Sequence, residues 1–81
     1  MKVLKFSADW CKPCQALKQI IEETDLGDIE FEDINVDYDF DIVSKYAVRG
    51  FPTLVMVDED GTEIKRHIGL ISASDLREWV A

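Results

Sequence analysis

The sequence has no apolar stretch long enough to cross a membrane, and no repeat, low-complexity segment or linker divides it. A membrane-spanning helix takes about 20 mostly apolar residues, so we expect no membrane association. Lys5, Ser7 and Asp9 interrupt the N-terminal residues, where a secretory signal would need a continuous apolar core. We therefore expect a cytoplasmic protein that folds as a single domain over residues 1–81.

Basic residues are scarce, with 9 Lys and Arg against 17 Asp and Glu, and the formal net charge is −8. A surface of this sign repels phosphate backbones, which argues against nucleic acid as a partner. The carboxylates are concentrated in residues 22–41 and 58–60. We interpret both clusters as solvated surface that keeps the protein soluble.

Cysteine and histidine are also scarce, because only Cys11, Cys14 and His67 are present. In a reducing cytosol a cysteine pair is more often catalytic or metal-binding than structural, and a bridge this short stabilises a fold little. A structural zinc site needs four ligands, so a single chain cannot complete one and we predict no metal. Zinc or an iron–sulfur cluster shared by two chains stays an alternative use of the pair. We expect His67 to be structural or exposed.

The apolar pattern predicts strands and helices in the order β-α-β-α-β-β-α. Apolar residues at helical spacing follow the first strand and stop near Gly27, and a change of phase after Phe31 leaves room for an irregularity in the second strand. Carboxylates in residues 37–41 can cap a second helix that ends near Gly50, with Tyr46 and Ala47 on its inner side.

The predicted strands are residues 2–6, 29–36, Thr53–Val57 and 62–68, with a hairpin turn at residues 58–61. Ser72 or Ser74 caps the last helix, whose Trp79 we place in the core. A strand, a helix and a strand form a right-handed parallel crossover, whereas a hairpin is antiparallel. We therefore predict an α/β three-layer sandwich with a mixed four-stranded sheet.

The two cysteines lie where the first strand passes into the first helix. They are one helical turn apart, so both sulfurs face the same side within disulfide range. Unpaired N–H groups and the dipole at a helix N-terminus favour a thiolate on Cys11, and Lys12 adds positive charge. Pro13 suits the first turn, where no N–H is needed. We predict that Cys11 is the nucleophile and that Cys14 resolves the mixed disulfide.

Three segments together resemble the thioredoxin family: residues 6–14 (FSADWCKPC), 46–53 (YAVRGFPT) and 68–70 (IGL). The resemblance extends from about Val3 to the C-terminus, and three motifs in order are far more specific than one C-x-x-C. It implies a thioredoxin-like fold and a monomeric protein disulfide reductase that serves electron transport and cell redox homeostasis. It also implies protein disulfide substrates, a thioredoxin-reductase-like flavoprotein as partner, and no cofactor beyond the Cys11–Cys14 couple.

The resemblance also implies a substrate groove beside the cysteines. Pro52 would follow a cis peptide bond and leave the backbone of Phe51 free to pair with an extended substrate. Phe51 and Ile68 could instead be ordinary core residues, and Trp10 a packing aromatic. The residues expected in the groove are Trp10, Gly50, Phe51, Pro52, Ile68 and Gly69.

Two departures from the family pattern stand out. The usual extra N-terminal strand and helix have no room before Val3, so the predicted core is of glutaredoxin size. Lys5 occupies the place of an aspartate that assists proton transfer with the inner cysteine. Lys5 could favour a thiolate through its charge, which we would test on Cys11, or its amine could extend to water at the end of the sheet.

Two other functions compete with the reductase. A glutathione-dependent, glutaredoxin-like enzyme fits the size, but such members tend to have an aromatic residue between the cysteines and basic residues around them, where this chain has Lys12 and acidic surroundings. A non-catalytic binding module would use the same groove, so only the chemistry of the cysteines separates it from an enzyme.

Overall fold

The computed structural model describes all residues 1–81. The elements follow the predicted order of strands and helices. They are β1 (Lys2–Ser7), α1 (Lys12–Glu23), β2 (Glu30–Asn35), α2 (Phe40–Lys45), β3 (Thr53–Val57), β4 (Glu63–Ile68) and α3 (Ala73–Val80). No helix combines the length and the apolar composition that a membrane crossing requires.

The four strands form one mixed sheet in the order β2-β1-β3-β4. β1 runs parallel to β2 and antiparallel to β3, and β3 and β4 form the predicted antiparallel hairpin. A parallel pair needs a crossover connection, which α1 supplies between β1 and β2. The predicted mixed four-stranded α/β sheet is confirmed.

The sheet is covered on both faces, because alternate residues of its central strands enter two separate apolar clusters. Phe6 and Val55 belong to a cluster that includes both cysteines and receives apolar side chains of α2, whereas Val3 and Leu54 belong to one completed by α1 and α3. This double burial explains why Thr53–Val57 is buried throughout and why its sequence is an almost continuous apolar run.

The predicted irregularity in the second strand is wrong. β2 pairs with β1 in an unbroken register from Lys2 opposite Glu30 to Ser7 opposite Asn35. Phe31 packs against one apolar cluster and Ile34 lies in the other. The change of phase therefore reflects apolar contacts on both faces of a regular strand.

Both early helices are shorter than predicted. α1 ends at Glu23, where the Thr24 hydroxyl donates to the Ile20 carbonyl, and Gly27 adopts a positive φ of 72° in the following turn. α2 ends at Lys45. Ala47, expected on the inner side of α2, is exposed and has a left-handed φ of 51°.

Capping distinguishes the remaining alternatives. Ser72, and not Ser74, caps α3, since its hydroxyl accepts a hydrogen bond from the Asp75 N–H. Asp39 precedes α2, but its carboxylate accepts from the Asn35 N–H at 3.2 Å and leaves the helix without a side-chain cap. Trp79, which we placed in the core, packs against the cluster beneath α1 and α3 but is only partly buried.

We expect Leu54→Ala to lower the free energy of unfolding by roughly 2–5 kcal/mol, because it empties a fully buried position at the centre of the sheet. Ile64→Ala, on the neighbouring strand with 49% of the residue exposed, should change stability by no more than about 0.5 kcal/mol. Urea unfolding of both variants in the reduced state makes the comparison. Equal losses would contradict the assignment of β3 to the buried centre.

Candidate active site

The Cys11–Cys14 disulfide joins the N-terminus of α1 to its first turn, with 5.2 Å between the two Cα atoms. Cys11 is the N-cap of the helix, with extended backbone, and its N–H donates to the Ala8 carbonyl at 3.2 Å. That bond turns the chain sharply after β1. The sulfur of Cys11 is thereby held at the start of the helix.

The start of α1 provides a hydrogen-bond donor for Cys11. The Cys14 N–H donates to the Cys11 Sγ at 3.2 Å, and the first turn contains no acidic residue that would oppose negative charge. Donors at a helix N-terminus stabilise a thiolate. The two cysteines are 5% and 3% exposed in the disulfide form, so the donor and not exposure distinguishes them.

Lys12 and Pro13 lie on the exposed side of this first turn. Pro13 occupies a position where the helix needs no N–H. Lys12 forms no ion pair, so its charge is not neutralised by a neighbouring carboxylate.

The predicted groove residues come together from three segments. The Trp10 and Phe51 rings meet edge to face, with centroids 6.3 Å apart. The Phe51–Pro52 peptide bond is cis, and the Pro52 carbonyl accepts a hydrogen bond from the Gly69 N–H at 2.8 Å. A Cβ on Gly50 would lie 3.4 Å from the side chain of Ile68, so the loop that contains Gly50 lies directly beside the end of β4.

Exposure distinguishes the two interpretations of these apolar residues. Trp10 is 66% exposed and Ile68 is 63% exposed, so neither is a core residue. Phe51 is half-buried and also packs against the cluster that contains the cysteines. Leu70 belongs to the third motif but was not among the predicted groove residues, and it adds a further apolar side chain that is 52% exposed.

Two carboxylates near the site were missed because they lie within the acidic region that we interpreted as solvated surface. The Asp37 carboxylate accepts a hydrogen bond from the Trp10 indole N–H at 3.1 Å. Asp33 pairs with the amine of Lys5 at 2.9 Å. The parallel register that sets Lys5 opposite Asp33 is the signal that could have revealed the second pair.

Lys5 does not extend to water at the end of the sheet. It lies within β1, its side chain is only 8% exposed, and its amine meets the Asp33 carboxylate, whose side chain is 74% exposed. That interpretation of Lys5 is therefore wrong.

His67 is half-buried on β4, with its Nε2 3.4 Å from the Leu70 carbonyl oxygen.

No group of three or more His, Cys, Asp or Glu side chains is arranged to hold a metal ion. The arrangement at the cysteines instead suits thiol–disulfide exchange: a sulfur with a backbone donor, a second sulfur bonded to it, and an exposed apolar surface alongside.

The family model described as Thioredoxin matches residues 1–81. Among curated proteins, the thioredoxin of Rhodospirillum rubrum is 42% identical over 78 residues, which cover 93% of this chain and 74% of that protein. The thioredoxin of Rickettsia bellii is 37% identical over 81 residues, which cover 96% of this chain and 76% of that protein. The X-ray structure of Fasciola hepatica thioredoxin superposes with a TM-score of 0.85 at 32% identity, covering 98% of this chain and 76% of that one.

In the reduced protein we expect substoichiometric iodoacetamide at neutral pH to modify Cys11 about tenfold more than Cys14, because a thiolate stabilised by the helix N-terminus reacts first. Peptide mapping by mass spectrometry measures the ratio. The fully denatured reduced chain is the control and should react at both cysteines alike. Equal modification in the folded protein would contradict the role assigned to the Cys14 N–H.

Proposed function

Since the chain belongs to the thioredoxin family and is a thiol–disulfide oxidoreductase, we propose that it reduces disulfide bonds of other proteins in the cytoplasm. The observation that carries this proposal is the hydrogen bond from the Cys14 N–H to the Cys11 Sγ. It supports the nucleophilic role that we propose for Cys11, because the sulfur that receives a backbone donor is the one favoured as a thiolate.

The proposed reaction has two exchange steps. The Cys11 thiolate attacks one sulfur of the substrate disulfide, and the other substrate sulfur leaves with the electron pair and takes up a proton. The Cys14 thiolate then attacks the Cys11 Sγ, and the second substrate sulfur leaves in the same way. Two electrons pass to the substrate, and the protein ends with the Cys11–Cys14 bond that the structure contains.

The groove would hold the substrate chain beside Cys11. Neither the N–H nor the carbonyl of Phe51 forms a backbone hydrogen bond within the protein. Free backbone groups beside an exposed apolar surface can pair with an extended segment, as in β-strand addition. We assign the apolar contacts to Trp10, Gly50, Phe51, Ile68 and Gly69. Pro52, which the resemblance also placed in the groove, has a fully buried side chain and cannot make such a contact.

Recycling requires a reductant for the Cys11–Cys14 disulfide. We assign this role to a thioredoxin-reductase-like flavoprotein. We also propose that the protein acts as a monomer in electron transport and cell redox homeostasis. The acidic surroundings support this choice over glutathione, because the carboxylates of that tripeptide would be repelled by a chain of net charge −8.

We expect the parent protein to reduce insulin disulfides with NADPH and a bacterial thioredoxin reductase, and Cys11→Ser to show no rate above the uncatalysed reaction. Cys14→Ser should form a covalent complex with the substrate that a small thiol releases, because the second exchange step is lost. Activity in Cys11→Ser would contradict the proposed mechanism.

Two controls accompany this assay. Replacing the flavoprotein by reduced glutathione should give no comparable turnover, and the opposite result would identify the glutaredoxin-like alternative. Metal analysis of the freshly purified protein tests for a cluster bridged between two chains. An inactive, correctly folded parent protein would favour the binding module.

We expect Trp10→Ala to lower kcat/KM for insulin by about fivefold or more, because truncation of an aromatic anchor in an interface commonly costs more than about 1 kcal/mol. Reduction of a small aromatic disulfide should be unchanged, since it does not need the groove. Tyr38→Ala is the matched control, because Tyr38 is an exposed aromatic outside the groove. Equal effects of the two substitutions on insulin reduction would argue against the groove.

A further inference from the structure

Lys5 lines a cleft that reaches Cys14 and not Cys11. The cleft has a volume of about 540 Å³ and lies between the first two strands and the start of α1. Its charged lining residues are Lys5, Asp9, Lys18, Asp33 and Asp39. Lys5 thus shares this cleft with the inner cysteine, whereas the sequence led us to consider the outer one.

We propose that Lys5 is a positioning residue for the second exchange step: its buried ammonium group favours the thiolate form of Cys14, and Asp33 holds that ammonium in the cleft. The inference rests on the proposed disulfide reductase function and names the positive charge that assists the second cysteine of that reaction. It concerns only the resolution of the mixed disulfide, whereas the attack by Cys11 is assisted by the helix N-terminus.

Cys14 needs such a charge more than Cys11 does. It is 3% exposed, and burial disfavours an ionised thiol. Its own backbone N–H is directed to the Cys11 Sγ, so the donor that assists the first cysteine is not available to the second. An opposite charge in the same cleft can stabilise a thiolate there.

Lys5 is the charged group in the cleft that solvent screens least. Its side chain is 8% exposed, whereas Asp9, Lys18, Asp33 and Asp39 are all exposed residues. Interactions between exposed charges are weakened by water and salt, and those of buried charges much less. The single ion pair to Asp33, at 2.9 Å, stabilises the ammonium in a buried position and fixes its place.

The step balances within the proposed reaction. Cys14 loses its proton to water in the cleft, and its thiolate forms a bond with the Cys11 Sγ. The bond between Cys11 and the substrate sulfur breaks, and that sulfur leaves with the electron pair and is protonated from solvent. The positive charge of Lys5 favours the anion that forms on Cys14.

The test measures each thiol separately. In Cys11→Ser the remaining thiol is Cys14, and in Cys14→Ser it is Cys11, so thiolate absorbance against pH reports one group at a time. Adding Lys5→Met removes a positive charge, which raises the pKa of the Cys14 thiol. We expect a rise of about one unit, which is a tenfold loss of thiolate near neutral pH, and a much smaller change at Cys11.

Kinetics on the two-cysteine protein give the second measurement. At pH 7, Lys5→Met should slow resolution of the mixed disulfide about threefold, because a tenfold loss of thiolate is partly offset by the greater nucleophilicity of a thiolate of higher pKa. The rate of formation of the mixed disulfide should be almost unchanged. Above the pKa of Cys14 in both proteins, the loss of resolution rate in Lys5→Met should disappear. Lys5→Arg, which retains the charge, should resolve close to the parental rate, and Lys18→Met, at an exposed lysine of the same cleft, should have little effect.

Any of the following results would overturn the inference: no rise in the thiol pKa at Cys14, an equal rise at both cysteines, the same loss of resolution rate in Lys18→Met, or the same loss in Lys5→Arg. If Lys5→Met does not fold, Lys5→Gln carries the same expectation and retains a polar group for Asp33. A parent protein without disulfide reductase activity would refute the proposed function itself. An active parent with parental resolution in Lys5→Met would refute only the role of Lys5.

Discussion

The site depends on the short distance between the end of β1 at Ser7 and the beginning of α1 at Lys12. β1 is fixed on both sides, by a parallel pairing with β2 and an antiparallel pairing with β3, so the start of α1 has a fixed place at the end of the sheet. The turn after Ala8 sets Cys11 at the N-cap, where the Cys14 N–H donates to its sulfur. The redox chemistry thus depends on the packing of a buried strand.

The same packing explains which parts of the fold the sequence could predict. β3 was predicted with its observed bounds, because a strand buried on both faces is a short apolar run between turn residues. β2 was misinterpreted because it contributes Phe31 to one cluster and Ile34 to the other. The spacing of apolar residues alone does not show that both faces of the strand are covered. The helix ends were missed because hydrogen bonds such as that of Thr24 depend on local geometry.

Prediction of the site was best where a motif carries the chemistry. The cysteine pair is recognisable from its own spacing, whereas the groove depends on segments that only the folded chain brings together, such as Trp10 with Phe51. Asp33 and Asp37 could not be selected among 17 acidic residues, because each matters through a contact with a single residue that is distant in the sequence. Part of the acidic region therefore holds the site in place and is not only solvated surface.

Two thiols that react in sequence need separate sources of anion stabilisation. A helix N-terminus has few unpaired N–H groups, and here the N–H of one cysteine serves the sulfur of the other. The second thiol therefore gains little from the helix, and its burial also disfavours the ionised form. A charge supplied from the sheet side, such as the ammonium of Lys5, acts on Cys14 without competing for the donor that Cys11 uses, so the first and second exchange steps can be tuned independently.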